Sequence, residues 1–219
     1  MKILAIDTTT KKAGVALKDD NNIFFKQIDN EITHSEKLLP LLDEVLNENN
    51  TSLKDIDLFA ITLGPGSFTG VRIGIASIKA IAKVTNKKIF GTTSLELLAI
   101  DGIKKCTFTP KHVLSLMDAR NQRAYYNLYK YENSKLESLD FFGNDYATDI
   151  ISNVHNMNLE DLLIVIDNNS NINLENVIVV DLDLKNIFEL DMTHGLFDYL
   201  TLDAMYYRKS EAERTTEGE

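Results

Sequence analysis

Asp7 closes the apolar run Ile3-Leu-Ala-Ile-Asp7 and is followed by Thr8 and Thr9. A strand-end carboxylate beside two hydroxyls is either a degenerate site for a metal or polar ligand or a terminus that stabilises its own turn. The residues leave both readings open. Two-metal nuclease chemistry needs carboxylates converging from the first strand, first helix and fourth strand. Asp7 and Glu36 or Glu44 supply candidates for two of these, but the fourth strand ends Thr62-Leu63-Gly64 without an acid, so nuclease activity is not expected. The segment Leu63-Gly-Pro-Gly-Ser-Phe-Thr-Gly-Val-Arg-Ile-Gly74 places four of the ten glycines in a strand-to-helix corner. Such corners commonly cradle phosphate. Here Val71-Arg72 stand where a P-loop needs Lys and a hydroxyl ligand, and Ser67 has no evident base beside it in sequence. Arg72 or Lys79 either meets an anion shared with a partner or belongs to a solvated stripe. A metal held by His34 needs a second ligand one turn on, where Leu38 stands, and His112, His155 and His194 show no ligand spacing. A protein-only zinc site is therefore not expected. His34 is read instead as organising the helix start or a contact there.

The helix after the glycine corner has more apolar surface than one sheet needs. On a wheel of about 100° per residue, Val71, Ile75, Ile78 and Ala82 share one side, with Gly74 and Ile81 at its edge. Ile73, Ser77, Ala80 and Val84 fall on the other, and Arg72, Lys79 and Lys83 form a basic stripe between the two. Small residues Gly70, Gly74, Ser77 and Ala80 let another helix approach closely. Something covers the second face: another helix of this chain or a partner subunit.

Composition narrows the function classes. A chain of 219 residues buries roughly 70% of its unfolded surface, enough for one medium domain or two small ones. With 23 basic and 33 acidic side chains the net charge is −10, an average field that repels polyphosphate and argues against direct nucleic-acid binding by this chain alone. The lone Cys106 excludes an internal disulfide framework and, without a signal-peptide core in the first residues, favours a reducing cytoplasm. No apolar run approaches the roughly 20 residues that span a bilayer.

The positioning elements follow from hydrophobic pattern. Lys2 to Asp7, Ala13 to Lys18 and Ile23 to Ile28 read as a meander. A helix opens at Thr33-His-Ser-Glu36, with capping-box spacing, and carries Leu38, Leu42 and Val45 on one face. Pro40 lies near its first turn. Strand Asp57 to Leu63, the glycine corner and its helix, strand Lys88 to Phe90 and a short helix from Ser94 through Ile100 complete the order βββαβαβα, that of a ribonuclease-H-like lobe with a mixed sheet. A second copy begins near Lys111. Val113-Leu-Ser-Leu-Met-Asp118 followed by Ala124-Tyr-Tyr-Asn-Leu-Tyr129 parallels the first two strands, and in both the strand-end Asp precedes Ala by six residues. Strands at Lys135 to Phe142, Leu162 to Ile166 and Val177 to Val180, and helices at Tyr146 to Met157 and Thr193 to Tyr207, continue it. The predicted architecture is α/β, two tandem ribonuclease-H-like lobes of the actin-like ATPase (ASKHA) kind at residues 1–102 and 103–219, the second ending in a frayed acidic tail. Nucleotide-binding members of that architecture carry Gly after the first strand's Asp. This chain has Asp7-Thr8-Thr9 there, and Gly143, Gly195 and Gly218 are far apart in its second half. A kinase or transferase with a degenerate cleft around Asp7 is the alternative reading.

Ile3-Leu-Ala-Ile-Asp-Thr-Thr9, His34-Ser-Glu36 with Leu38-Leu-Pro40, the glycine-corner string through Gly74, Thr93-Ser-Leu-Glu96 and Asp118-Ala-Arg120 together resemble the bacterial TsaB (YeaZ) family, most strongly in the first half. Ala204-Met-Tyr-Tyr-Arg208 keeps the Tyr and Arg of that family's closing motif and loses its Pro. The resemblance implies a non-catalytic scaffold in the assembly that forms N6-threonylcarbamoyladenosine at position 37 of tRNAs reading ANN codons. It implies pairing with the paralogue TsaD through the first two helices, with the ATPase TsaE at the junction, and homodimers of the isolated chain. No cofactor, catalytic residue or metal of its own is implied, and tRNA is met only through the complex. The partner surface it implies comprises His34, Leu38, Leu41, Gly70, Arg72, Ile73, Gly74, Ser77, Ala80 and Val84.

Overall fold

A computed structural model of the chain describes residues 1–29 and 34–205. They divide into two compact units, residues 1–94 with 184–205, and residues 95–183. In the first unit β1 (Lys2–Asp7), β2 (Lys12–Asp19) and β3 (Asn22–Asp29) form an antiparallel meander. Then α1 (His34–Glu48) leads to β4 (Leu58–Thr62), parallel to β1, and α2 (Phe68–Thr85) leads to β5 (Ile89–Thr92), parallel to β4. Leu4, Ile6, Val15 and Leu17 of the sheet pack with Leu38, Leu42 and Val45 of α1 and Val71, Ile75, Ile78 and Ala82 of α2 in one core. The β1 and β4 residues are buried on both sides of the strand, as central strands require.

In the second unit α3 (Ser94–Lys105, with Ser94 in the first unit) precedes β6 (His112–Asp118), β7 (Arg123–Glu132), β8 (Lys135–Tyr146), α4 (Ala147–Asn156), β9 (Leu162–Asp167) and β10 (Ile178–Val180). Leu95, Leu98 and Ala99 of α3 cover one face of the sheet through Val113, Met117 and Val165. Ile150 and Val154 of α4 cover the other through Leu114, Leu116, Ile164 and Ile166. The strand order β10-β9-β6-β7-β8 repeats the β5-β4-β1-β2-β3 of the first sheet, with the same parallel and antiparallel pairs. The repeated spacing from Asp to Ala is not a repeated register, however. Asp7 stands opposite Gly14, whereas Asp118 stands opposite Ala124. The second turn closes one residue tighter through Arg120, Asn121 and Gln122, all at positive φ.

Three expectations change. The compact units do not divide at residues 102 and 103: α3 from Leu95 onward belongs with the second, and residues 184–205 belong with the first. There a 3-10 turn at Leu184–Glu189 precedes β11 (Leu196–Phe197), which pairs antiparallel with β5 and extends the first sheet. The helix expected from Thr193 is absent over the described residues. Asp191 accepts hydrogen bonds from the amide and hydroxyl of Thr193 at 3.1 and 2.6 Å, and Gly195 takes φ 70°. Asp198 then accepts from the amides of Leu200 and Thr201 at 2.8 and 3.0 Å. Such side-chain bonds compete with helix propagation. Tyr206 and Arg208 of the closing motif, and Thr33 of the capping box, lie outside the described residues. Pro40 sits in the second turn of α1 rather than its first.

Candidate functional site

The glycine corner is a seat built against the turn after β1. Leu63 donates its amide to Thr92 O at 2.8 Å, and Ser94 donates to Gly64 O at 2.9 Å, so the corner is held between β4 and the start of α3. Ser67 donates its amide to Thr9 O at 2.7 Å and, as the N-cap of α2, accepts from Gly70 N at 3.2 Å. A capping hydroxyl satisfies one of the orphan amides of a first helical turn. Thr8 Oγ1 donates to Gly70 O at 2.7 Å. A side chain at Gly66 would run into the Thr9 carbonyl, one at Gly70 into the Thr8 carbonyl, and one at Gly74 into the Thr8 hydroxyl. Gly66 and Gly70 are required by backbone approach within the chain, and Gly74 makes room for the Thr8 side chain.

Asp7 organises the same turn. It is 4% exposed, and its Oδ1 accepts from the Thr9 amide at 3.2 Å, the Thr9 hydroxyl at 2.8 Å and the Thr62 hydroxyl. Ser94 Oγ donates onward to Thr9 Oγ1 at 3.0 Å. The turn-stabilising reading of Asp7, Thr8 and Thr9 has this geometry behind it: Asp7 holds Thr9 and Thr62, and Thr8 holds Gly70. Among the described residues no group of three or more His, Cys, Asp or Glu side chains is placed to hold a metal ion.

The outer side of α2 is open. Thr69, Arg72, Ala76, Ala80, Lys83 and Val84 are exposed, Val84 to 87%, while Ile73 and Ser77 are half-buried and Ile73 packs on the core. The open arc centres on Ala76 and Ala80, rotated from the Ile73/Ser77 side towards the basic stripe. Ala76 escaped the sequence reading because its wheel position falls between the cations and the apolar residues, and alanine carries little hydropathy. The stripe itself is largely engaged. The Arg72 guanidinium lies 3.8 Å from the centre of the Phe68 ring, Lys79 Nζ donates to Leu202 O at 3.0 Å, and Lys83 Nζ is 6.0 Å from the Tyr199 ring.

Residues 198–205 run along this flank as a strap. Leu202 is 1% exposed in the core that holds Ile75 and Ile78, and Met205 donates its amide to Leu63 O at 2.9 Å. Amide donors from Thr201 and Leu200 hold the Asp198 carboxyl below its ordinary pKa. It accordingly keeps its charge to lower pH than an unperturbed aspartate does.

Four residues expected on a partner surface are instead internal. Leu38 and Leu41 are 1% and 6% exposed, packed with Leu42 and Val45 of α1 into the core against the sheet. Gly70 and Gly74 face Thr8. His34 is the first residue of α1, and its side chain lies outside the described features.

A family model described as TsaD, tRNA N6-adenosine threonylcarbamoyltransferase, matches residues 29–160, more than half of the chain. The chain belongs to this family. Its curated relatives include the tRNA threonylcarbamoyladenosine biosynthesis protein TsaB of Escherichia coli, 38% identical over 132 residues, 59% of this chain and 55% of that protein. The TsaB of Bacillus subtilis is 33% identical over 144 residues, 64% of this chain and 59% of that protein. The chain thus matches less than two thirds of the length of these relatives. The solved structure of YeaZ from Pseudomonas aeruginosa superposes with TM-score 0.76 at 18% identity, covering 94% of this chain and 99% of that one, which establishes the shared fold. The TsaB/YeaZ resemblance read from the motifs stands on these relatives. No helix among the described residues is long and apolar enough to cross a membrane.

Proposed function

We propose that the chain is a cytoplasmic, non-catalytic subunit of the assembly that forms N6-threonylcarbamoyladenosine at position 37 of tRNAs reading ANN codons. It docks a TsaD paralogue on the outer arc of α2 and so favours the transferase's active arrangement, since a partner shifts a conformational equilibrium only by binding one state more tightly. TsaE joins at that junction, and the isolated chain pairs with itself through the same surface. The observation that carries the reading is the helix arc left in solvent: two alanines and an almost fully exposed valine, in a chain whose relatives are named for this pathway. Small side chains let a partner backbone come close, and a flat apolar centre with cations at its rim has the anatomy of an interface. The net charge of −10 leaves tRNA contacts to the partners.

The test is Ala80→Arg. Mixed with the TsaD paralogue of the same organism, the wild-type chain co-elutes in size-exclusion chromatography and the variant does not, an affinity loss of roughly 100-fold or more for a long charged side chain at an interface centre. Cells depleted of the native chain and supplied with the variant lack the modified adenosine. Unchanged co-elution together with normal modification would overturn the reading.

A further inference from the structure

In open α/β sheets the carboxyl ends of parallel strands are the usual place for ligands. Here Asp7, Thr62 and Thr92 end the parallel strands β1, β4 and β5, and all three are buried. Thr8, Thr9, Thr62 and Ser94 are each no more than 1% exposed. Three connections run from this turn to the start of α2: Thr8 Oγ1 to Gly70 O, Ser67 N to Thr9 O, and the Thr8 side chain against Gly74. The two glycines leave a notch, and Thr8 fills it.

We propose that Thr8 is a positioning residue for the docking surface, setting the tilt and register of α2 and hence where Ala76, Ala80 and Val84 stand. The inference rests on the docking reading of α2. Its physical basis is leverage. Ala80 lies about 15 Å along the helix axis from Gly70 at 1.5 Å per residue, so a tilt of about 10° at the seat displaces it by about 2.5 Å. Such a shift is enough to lose close packing at an interface. The hydroxyl bond adds direction to the fit: a carbonyl in the first helical turn has a second lone pair, and Thr8 uses it to fix the helix from the sheet side. Asp7 supports the arrangement from behind by holding Thr9, whose carbonyl receives Ser67.

Two variants separate hydroxyl from volume. Thr8→Val keeps the shape and removes the donor, and Thr8→Ser keeps the donor. Each full-length chain is titrated calorimetrically with the TsaD paralogue, and amide exchange is followed along α2. The expected result for Thr8→Val is an affinity loss of about threefold to tenfold, the worth of one hydrogen bond. Faster exchange confined to residues 70–80 accompanies it, while β1 and β4 exchange as in wild type. Thr8→Ser stays within about twofold of wild type on the same scale. Thr8→Val binding like wild type, or exchange in α2 unchanged, overturns the proposal, as does acceleration spread evenly over β1 and β4, which general destabilisation would produce. A wild-type chain that fails to bind the paralogue defeats the docking reading on which the inference rests, and so defeats the inference with it. Failure of the seat alone looks different: wild type binds, and Thr8→Val binds equally well.

Discussion

The two units share a strand order but cross between their last parallel strands in different ways. β4 and β5 are joined through the 18-residue helix α2, whereas β9 and β10 are joined by residues 168–177 without a helix. The shorter crossing suffices for its sheet, because Ile172, Leu174 and Val177 fold back onto the Leu114/Leu116/Ile164 core. A long helix is therefore not what this topology demands. α2 buries one side to cover its sheet and keeps another in solvent, which is why the proposed docking belongs to the first unit. The strand-end aspartates diverge in the same way. Asp7 is buried among hydroxyls, while Asp118 is half-buried and accepts from the Arg120 amide at 2.7 Å and from Asn171 Nδ2 at 3.5 Å.

The largest expected effect is on the seat. Gly70→Ala forces a methyl group into the Thr8 carbonyl, and denaturant unfolding should show a loss of about 3 kcal/mol or more, as overpacking against backbone does. Asp7→Ala strands buried hydroxyls and should cost about 2–4 kcal/mol, whereas Asp118→Ala, with its more exposed partners, should cost less than about 1 kcal/mol. Equal losses at the two aspartates would erase the contrast between the units. Leu202→Ala should destabilise by about 2–3 kcal/mol as a core truncation does, and the loss should appear as faster amide exchange in α2 and β4 rather than in β6 or β9. Smallest of all, Ala80→Arg should change stability by no more than about 0.5 kcal/mol, since the site is exposed. A large loss there would mean that the arc is covered in the free chain.

Much of this was legible in the residues, and the failures have identifiable causes. Alternation and turn residues place the strands of both sheets except β11, and the helical period of α2 picks out its buried side, Val71, Ile75, Ile78 and Ala82. The period of α1 puts Leu38 with Leu42 and Val45 on the side the sheet buries; it is the family resemblance, not the period, that implies a partner for Leu38 and Leu41. A run of small residues does not reveal from which side it is approached; Gly70 and Gly74 are approached by Thr8. The strap at residues 198–205 was hidden because its apolar residues have helical spacing, and only the Asp-centred turns and Gly195 break that helix. A sequence does not show that Thr9 and Thr62 converge on Asp7, with Ser94 behind Thr9.

The central claim is that the outer arc of α2 is in solvent when the chain is alone and covered in the assembly. Labelling of Ala80→Cys by a maleimide, in a Cys106→Ser background, tests it directly. The thiol should react rapidly in the free chain at concentrations too low for self-pairing and become protected when the TsaD paralogue is added. A thiol already shielded in the free chain, or one that reacts equally fast with the paralogue bound, would contradict the account.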